Sequence, residues 1–252
     1  MIKEEALFEY LLRLGDSAIV LGHRLSQWCG HGPILEEDIA LTNIALDFVG
    51  LGTGLLGYAA QIENKGRTED TLAYFRNERE FKNVLLAEQP NGDFANTMVR
   101  QFFYDVYTYF LYSELKNSKD AQLAAIAEKA LKEINYHLRH SREWMLRLGD
   151  GTDESQSRMQ NAVNDLWMYT GDMFDADATD EFLFKEGIAP DLKEIKQKWE
   201  LYTKETLSEA TLQIPSDNFM QRGSREGKHT EHLGYMLAEM QSVARAFPGT
   251  SW

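Results

Sequence analysis

Apolar side chains recur every three or four residues along almost all of this chain, and that spacing restricts it to helices that bury one face. Leu7, Leu11, Leu14, Ala18, Leu21, Leu25 and Trp28 fall on one stripe, which predicts a long first helix stopped near Gly30-His31-Gly32-Pro33. A second helix is expected from about Leu35 to Asn64; it is apolar on most sides, as in a helix buried in the middle of a bundle. Lys65-Gly66-Arg67 breaks it, and a shorter helix over about 69–88 is expected next. Gln89-Pro90-Asn91-Gly92-Asp93 reads as a turn with Asp93 as N-cap. Phe94, Met98, Phe102, Val106, Tyr109 and Ser113 then mark a helix to about Asn117. Asp120 caps a fourth long helix carrying Ala127, Ala130, Ile134, His137, Ser141 and Met145, which ends at Gly149-Asp150-Gly151.

Two long helices, a crossover of roughly 28 residues and two more long helices is the order of ferritin-like bundles. The expected fold is therefore all-α: a ferritin-like four-helix bundle with one long crossover and a C-terminal helical extension. We expect a single domain over 1–252, with the bundle in 1–150 and the helices of 151–252 packed on it. Met159, Val163, Leu166, Tyr169 and Met173 suggest a fifth helix, and Leu192, Ile195, Trp199, Tyr202, Thr206 and Ala210 another. Leu233, Leu237, Met240, Ala244 and Phe247 give the last, capped by Thr230 and stopped by Pro248-Gly249; residues 213–228 read as one long loop.

Composition narrows the partners. Only 5 prolines interrupt the chain, and 13 Phe, 11 Tyr and 5 Trp are too many aromatics for a disordered one. A net charge of −14 repels phosphate backbones, so no nucleic acid is expected. The charge serves solubility or, alternatively, an acidic face that docks a basic partner. Cys29 is the single cysteine, which excludes an intramolecular disulfide and fits a reducing compartment. The start has no apolar signal core, and the longest uncharged apolar run, Phe48 to Ala60, has 13 residues, short of a bilayer. The expectation is a cytoplasmic protein with no membrane partner.

Gly52-Thr53-Gly54-Leu55-Leu56-Gly57 matches the dinucleotide pattern G-x-G-x-x-G, but that fingerprint needs a preceding strand, and here it lies inside a helix. The glycines are expected to let neighbouring helices approach. Ferritin-like enzymes hold two irons with a Glu from each of two helices and Glu-x-x-His from the other two, because positions i and i+3 share a face. This chain lacks that set. The second helix offers Asn43-Ile44-Ala45-Leu46-Asp47, with Leu46 where a histidine would stand. The fourth offers Glu133-Ile134-Asn135-Tyr136-His137, with Tyr136 at the histidine place and His137 displaced by about 100°. Asp16 and Asp105 are the candidate inward acids of the first and third helices. Asp16, Asn43, Asp47, Asp105, Glu133 and His137 thus read as a vestige of a di-iron site. Its buried acids should be neutralised by His23, His137 or an Arg, or hold protons. Glu226-Gly227-Lys228-His229-Thr230-Glu231-His232 contains the chain's one Glu-x-x-His, at a loop-to-helix junction; His229, Glu231 and His232 are interface candidates there rather than metal ligands.

Seven segments in order resemble one family. They are Leu12-Arg13-Leu14-Gly15-Asp16, Trp28-Cys29-Gly30-His31, Glu88-Gln89-Pro90-Asn91-Gly92, Tyr136-His137-Leu138-Arg139, Leu148-Gly149-Asp150-Gly151-Thr152, Phe174-Asp175-Ala176-Asp177 and His229-Thr230-Glu231-His232-Leu233-Gly234. The chain resembles the C subunits of bacterial phenylacetyl-CoA epoxidases over nearly its whole length. The resemblance implies a multicomponent monooxygenase that makes the ring-1,2-epoxide from O₂ and reducing equivalents. NADPH, FAD and an iron–sulfur centre would sit in a reductase, and a di-iron site in a homologous catalytic subunit. This chain would be a non-catalytic, cofactor-free subunit binding that partner and other subunits, with a homodimer in isolation left open. The alternatives are an active di-metal oxygenase or oxidase with a non-standard ligand set, and a contribution to binding the CoA part of the substrate.

Overall fold

The computed structural model describes residues 2–216 and 219–250. Residues 217 and 218 of the predicted loop lie outside the described residues. Among those described the protein is all-α, with no strand. The chain divides into two compact units, Met1–Gln89 with Gly223–Trp252, and Pro90–Arg222. Residue 150, where the sequence pattern ends the expected bundle, lies inside the second unit.

The first unit is built on α1 (Lys3–Ser26) and α2 (Leu35–Glu63). They run antiparallel and close together because three glycines lie at the crossing. A Cβ on Gly15 would meet Leu56, one on Gly52 would meet Ile19 at 2.5 Å, and one on Gly22 would meet Val49 and the Ala45 carbonyl. Within the G-x-G-x-x-G string only Gly52 has this role; Gly54 faces open space. The short α3 (Glu69–Tyr74) begins at Thr68, whose hydroxyl accepts from the Thr71 N–H at 3.2 Å. The helix expected over 69–88 stops there. The Lys82 N–H donates to Asp16 at 2.8 Å and the Val84 N–H to the Ser17 hydroxyl at 3.1 Å. Polar side chains of α1 thus take the backbone donors that a longer helix would have used internally. A 3-10 turn, Glu78–Glu80, is all that remains of regular structure between α3 and Gln89. The last predicted helix is two pieces, α9 (Glu231–Met240) and α10 (Ser242–Ala246). At the break, Gln241 donates to the Ala73 and Arg76 carbonyls, and Arg245 to the Arg76 carbonyl. Thr230 does not cap α9 with its side chain; its hydroxyl is bonded to Glu88 instead.

The second unit holds α4 (Phe94–Leu115) and α5 (Ala121–Gly149), capped as expected by Asp93 and Asp120. Helices α6 (Asp153–Trp167) and α8 (Leu192–Glu209) pack on them. Tyr169 and Met173, assigned to the fifth helix by spacing, lie beyond its end, Met173 in a 3-10 turn. A helix that the spacing does not reveal, α7 (Ala178–Lys185), is capped by Asp177. Trp199 of α8 is buried, donates from its indole N–H to the Phe103 carbonyl at 2.8 Å, and packs its ring at a tilt against those of Phe103 and Trp167, with centroids 5.7 Å away. That aromatic contact fastens both added helices to α4.

Candidate functional site

In the first unit, Asp16 is fully buried on α1. The Arg76 guanidinium grips both its oxygens, Nη1 to Oδ2 at 3.0 Å and Nη2 to Oδ1, and the Lys82 N–H takes Oδ2 as well. Arg76 is itself placed by the Glu80 carbonyl, at 2.9 Å, and by the Phe81 ring, 4.4 Å below its guanidinium carbon. A bidentate guanidinium pair satisfies a buried carboxylate and leaves no face of Asp16 for a metal. The base that neutralises this acid is therefore an Arg from the crossover. His23 does not fill that role: burial lowers its pKa and favours the neutral ring.

On α2 the candidate ligands point the wrong way. Asn43 is exposed and Leu46 is 64% exposed, while Asp47 is half-buried. Leu46 is therefore a surface residue and not an interior substitute for histidine. The inward face of this helix carries Leu41, Ile44, Ala45, Phe48 and Gly52.

A second polar knot in this unit joins two of the sequence segments singled out above. Glu88 and His229 have fully enclosed side chains. His229 Nδ1 lies 2.8 Å from Glu88 Oε2 and Nε2 lies 2.9 Å from the Phe81 carbonyl. With acceptors on both sides, both ring nitrogens must donate, so the ring is an imidazolium. Burial works to lower its pKa, but the hydrogen bond and charge of Glu88, together with the Phe81 carbonyl and the charge of Glu78, outweigh it, and the pKa is raised. Glu88 also accepts from Asn83, from the Thr230 N–H at 2.6 Å and from the Thr230 hydroxyl. Arg24 bonds the carbonyls of Glu88 and His232. His229 is thus an interior anchor and leaves the set of interface candidates. Glu231 is exposed and His232 half-buried.

In the second unit, Asp105 of α4 is fully buried. Gln101, one turn earlier, donates to Oδ1 at 2.6 Å, and Ser141 of α5 donates to Oδ2 at 2.7 Å. Burial pushes the Asp105 carboxyl up to about 7, against smaller opposing effects from His137 and these two hydrogen bonds. His137 is buried one turn before Ser141 on α5. Tyr136 is 41% exposed with its ring beside Arg139, and Glu133 is half-buried. The inward position on α5 is therefore His137, four residues after Glu133, and Tyr136 is not an inward substitute for a ligand. Among the described residues, no three His, Cys, Asp or Glu side chains group so as to hold a metal ion. The residues present do not fit a di-iron centre.

Sequence spacing does not identify Arg76, Gln101 or Ser141 as members of these clusters. Gln101 and Ser141 each stand four residues from another cluster member, a polar pair on an otherwise apolar stripe, which is a readable signal. Nothing local marks Arg76, whose partner is 60 positions away.

Comparison with known proteins shows the family to which this chain belongs. The family model described as "Phenylacetic acid catabolic protein" matches residues 2–252. The chain belongs to the phenylacetic acid catabolic protein family. Within it, this chain is 51% identical over 246 residues to a protein of Escherichia coli strain K12 named as the C subunit of 1,2-phenylacetyl-CoA epoxidase, covering 98% of this chain and 99% of the relative. Identity on that scale bears out the resemblance drawn from the seven segments.

Proposed function

We propose that this chain is a structural, non-catalytic subunit of a multicomponent epoxidase acting on phenylacetyl-CoA, which supports a homologous subunit that holds the di-iron site. The observation that carries this reading is the closure of both inward acids. Arg76 and the Lys82 N–H occupy Asp16, and Gln101 and Ser141 occupy Asp105. The name of the E. coli relative supports membership of an epoxidase complex. In this reading NADPH, FAD and an iron–sulfur centre belong to the reductase of the complex, this chain carries no cofactor, and the complex works in the cytoplasm.

Co-expression with the candidate di-iron subunit, followed by size-exclusion chromatography, tests the pairing: one co-eluting species is expected, and separate elution at micromolar concentration contradicts it. Epoxidation by the assembled complex tests the catalytic assignment. Asp105→Asn in this chain should leave kcat unchanged, whereas loss of turnover in an intact complex would make this chain catalytic.

A further inference from the structure

Asn91-Gly92 is the chain's single Asn-Gly pair, and asparagine before glycine is chemically labile. Glycine has no side chain to shield its backbone nitrogen, which can attack the Asn91 Cγ. In that reaction a bond forms from Gly92 N to Cγ, the Cγ–Nδ2 bond breaks, and ammonia leaves with the proton of the Gly92 N–H. Water then opens the five-membered imide at either carbonyl and leaves aspartate or isoaspartate at 91. Water is the one reagent consumed.

Gly92 is exposed, whereas Asn91 is half-buried and held by both of its oxygens. Arg100 Nη2 donates to Asn91 Oδ1 at 2.7 Å, and the Thr97 hydroxyl donates to the Asn91 main-chain oxygen at 2.9 Å. Arg100 and Thr97 are fully buried and stand three positions apart, on one face of α4. The two oxygens of Asn91 therefore turn toward the same stretch of helix. In the imide ring those oxygens point outward on either side of the new nitrogen, nearly opposite each other. Two neighbouring side chains of one helix face cannot follow both.

We infer that Asn91 is a latent modification site, an asparagine that the grip of Arg100 and Thr97 keeps from deamidating while the chain is folded. Closing the ring gives up at least one of the two bonds. Loss of the one from the charged Arg100 slows closure by about ten- to a hundredfold. Conversion also changes the start of α4, the helix that carries Asp105. It sets a carboxylate beside Arg100, and the isoaspartate product adds a methylene to the backbone just before the Asp93 cap.

This inference does not depend on the proposed epoxidase role. The test is the rate of amide loss at Asn91 in the full chain at mildly alkaline pH, in native buffer and in urea, read by peptide mass spectrometry and isoaspartyl labelling. Asp150-Gly151, an exposed pair in the same unit, is the internal monitor. Asn91 should convert at least about tenfold more slowly in the folded chain than in urea. Thr97→Val and Arg100→Met should each speed conversion in native buffer, with isoaspartate at Asp150 unchanged. Thr97→Val keeps the shape of the side chain, so it tests the grip even where Arg100→Met loosens the fold. Equal rates in native buffer and in urea would overturn the inference. So would variants that leave Asn91 as slow as in the parent, or slower, which would make Arg100 an activator of ring closure. Acceleration at Asn91 and Asp150 together would overturn it as well, because that reports general loosening and not the loss of a local grip.

Discussion

Asp105 shows how the protein's own donors hold a buried acid: Gln101 and Ser141 each donate to one of its oxygens. Its carboxyl titrates near 7 in the fold because burial disfavours the charge, and near 3.8 when unfolded. Between these values the native state binds more protons than the unfolded one. The stability due to this group is thus fully present below pH 3.8 and lost as pH rises to about 7, by up to about 1.4 kcal/mol per pH unit. Asp105→Asn should remove that slope. Urea midpoints from pH 4.5 to 7.5 should therefore show the variant gaining on the parent as pH rises; parallel curves would contradict the assignment. His229 carries a stabilising charge instead of an avoided one. Its raised pKa makes the imidazolium stabilising below its unfolded value, and that contribution fades as pH rises through the folded value. His229→Ala should cost about 3–5 kcal/mol at pH 6, because Glu88 is left buried without its cation, and that cost should shrink as pH rises through the folded pKa, as read from urea midpoints.

At the scale of elements, two devices decide how the chain between the long helices is held. The α1–α2 crossing depends on Gly52, where a Cβ would meet Ile19. Gly52→Val should destabilise by about 1–3 kcal/mol through overpacking, readable as a lowered Tm. The crossover depends on Arg76 and Asp16. Arg76→Met should cost about 3–5 kcal/mol by stranding a buried carboxylate, and adding Asp16→Leu should recover much of it. Additive losses in that double-mutant cycle would mean the pair is not coupled. The same two devices explain what spacing can and cannot reveal. Helices α1, α2, α4 and α5 are legible because each buries a stripe along its own length. The segment after Tyr74 is not, since Asp16 and Ser17, more than 60 positions away, take its backbone N–H groups. The orientation of α2 is also hidden: spacing says which residues share a face, but a helix apolar on most sides does not announce which face turns inward. Leu46 therefore reads as an interior position in the sequence although it lies on the surface.

For the molecule as a whole, family membership and the closed acids support one account. The chain is all-α among its described residues, and its two fully buried inward acids, Asp16 and Asp105, are bound by groups of the protein itself. Part of this is legible from the absence of Glu-x-x-His on the second and fourth helices, and part is not, because Arg76 comes from a crossover whose path no local pattern describes. The most direct measurement is the metal content of the purified full-length chain, expressed with ample iron and manganese and analysed by elemental mass spectrometry. The account predicts a substoichiometric value, unchanged by Asp105→Ala. About two metals per chain, the complement of a di-metal bundle site, lost on Asp105→Ala, would contradict it.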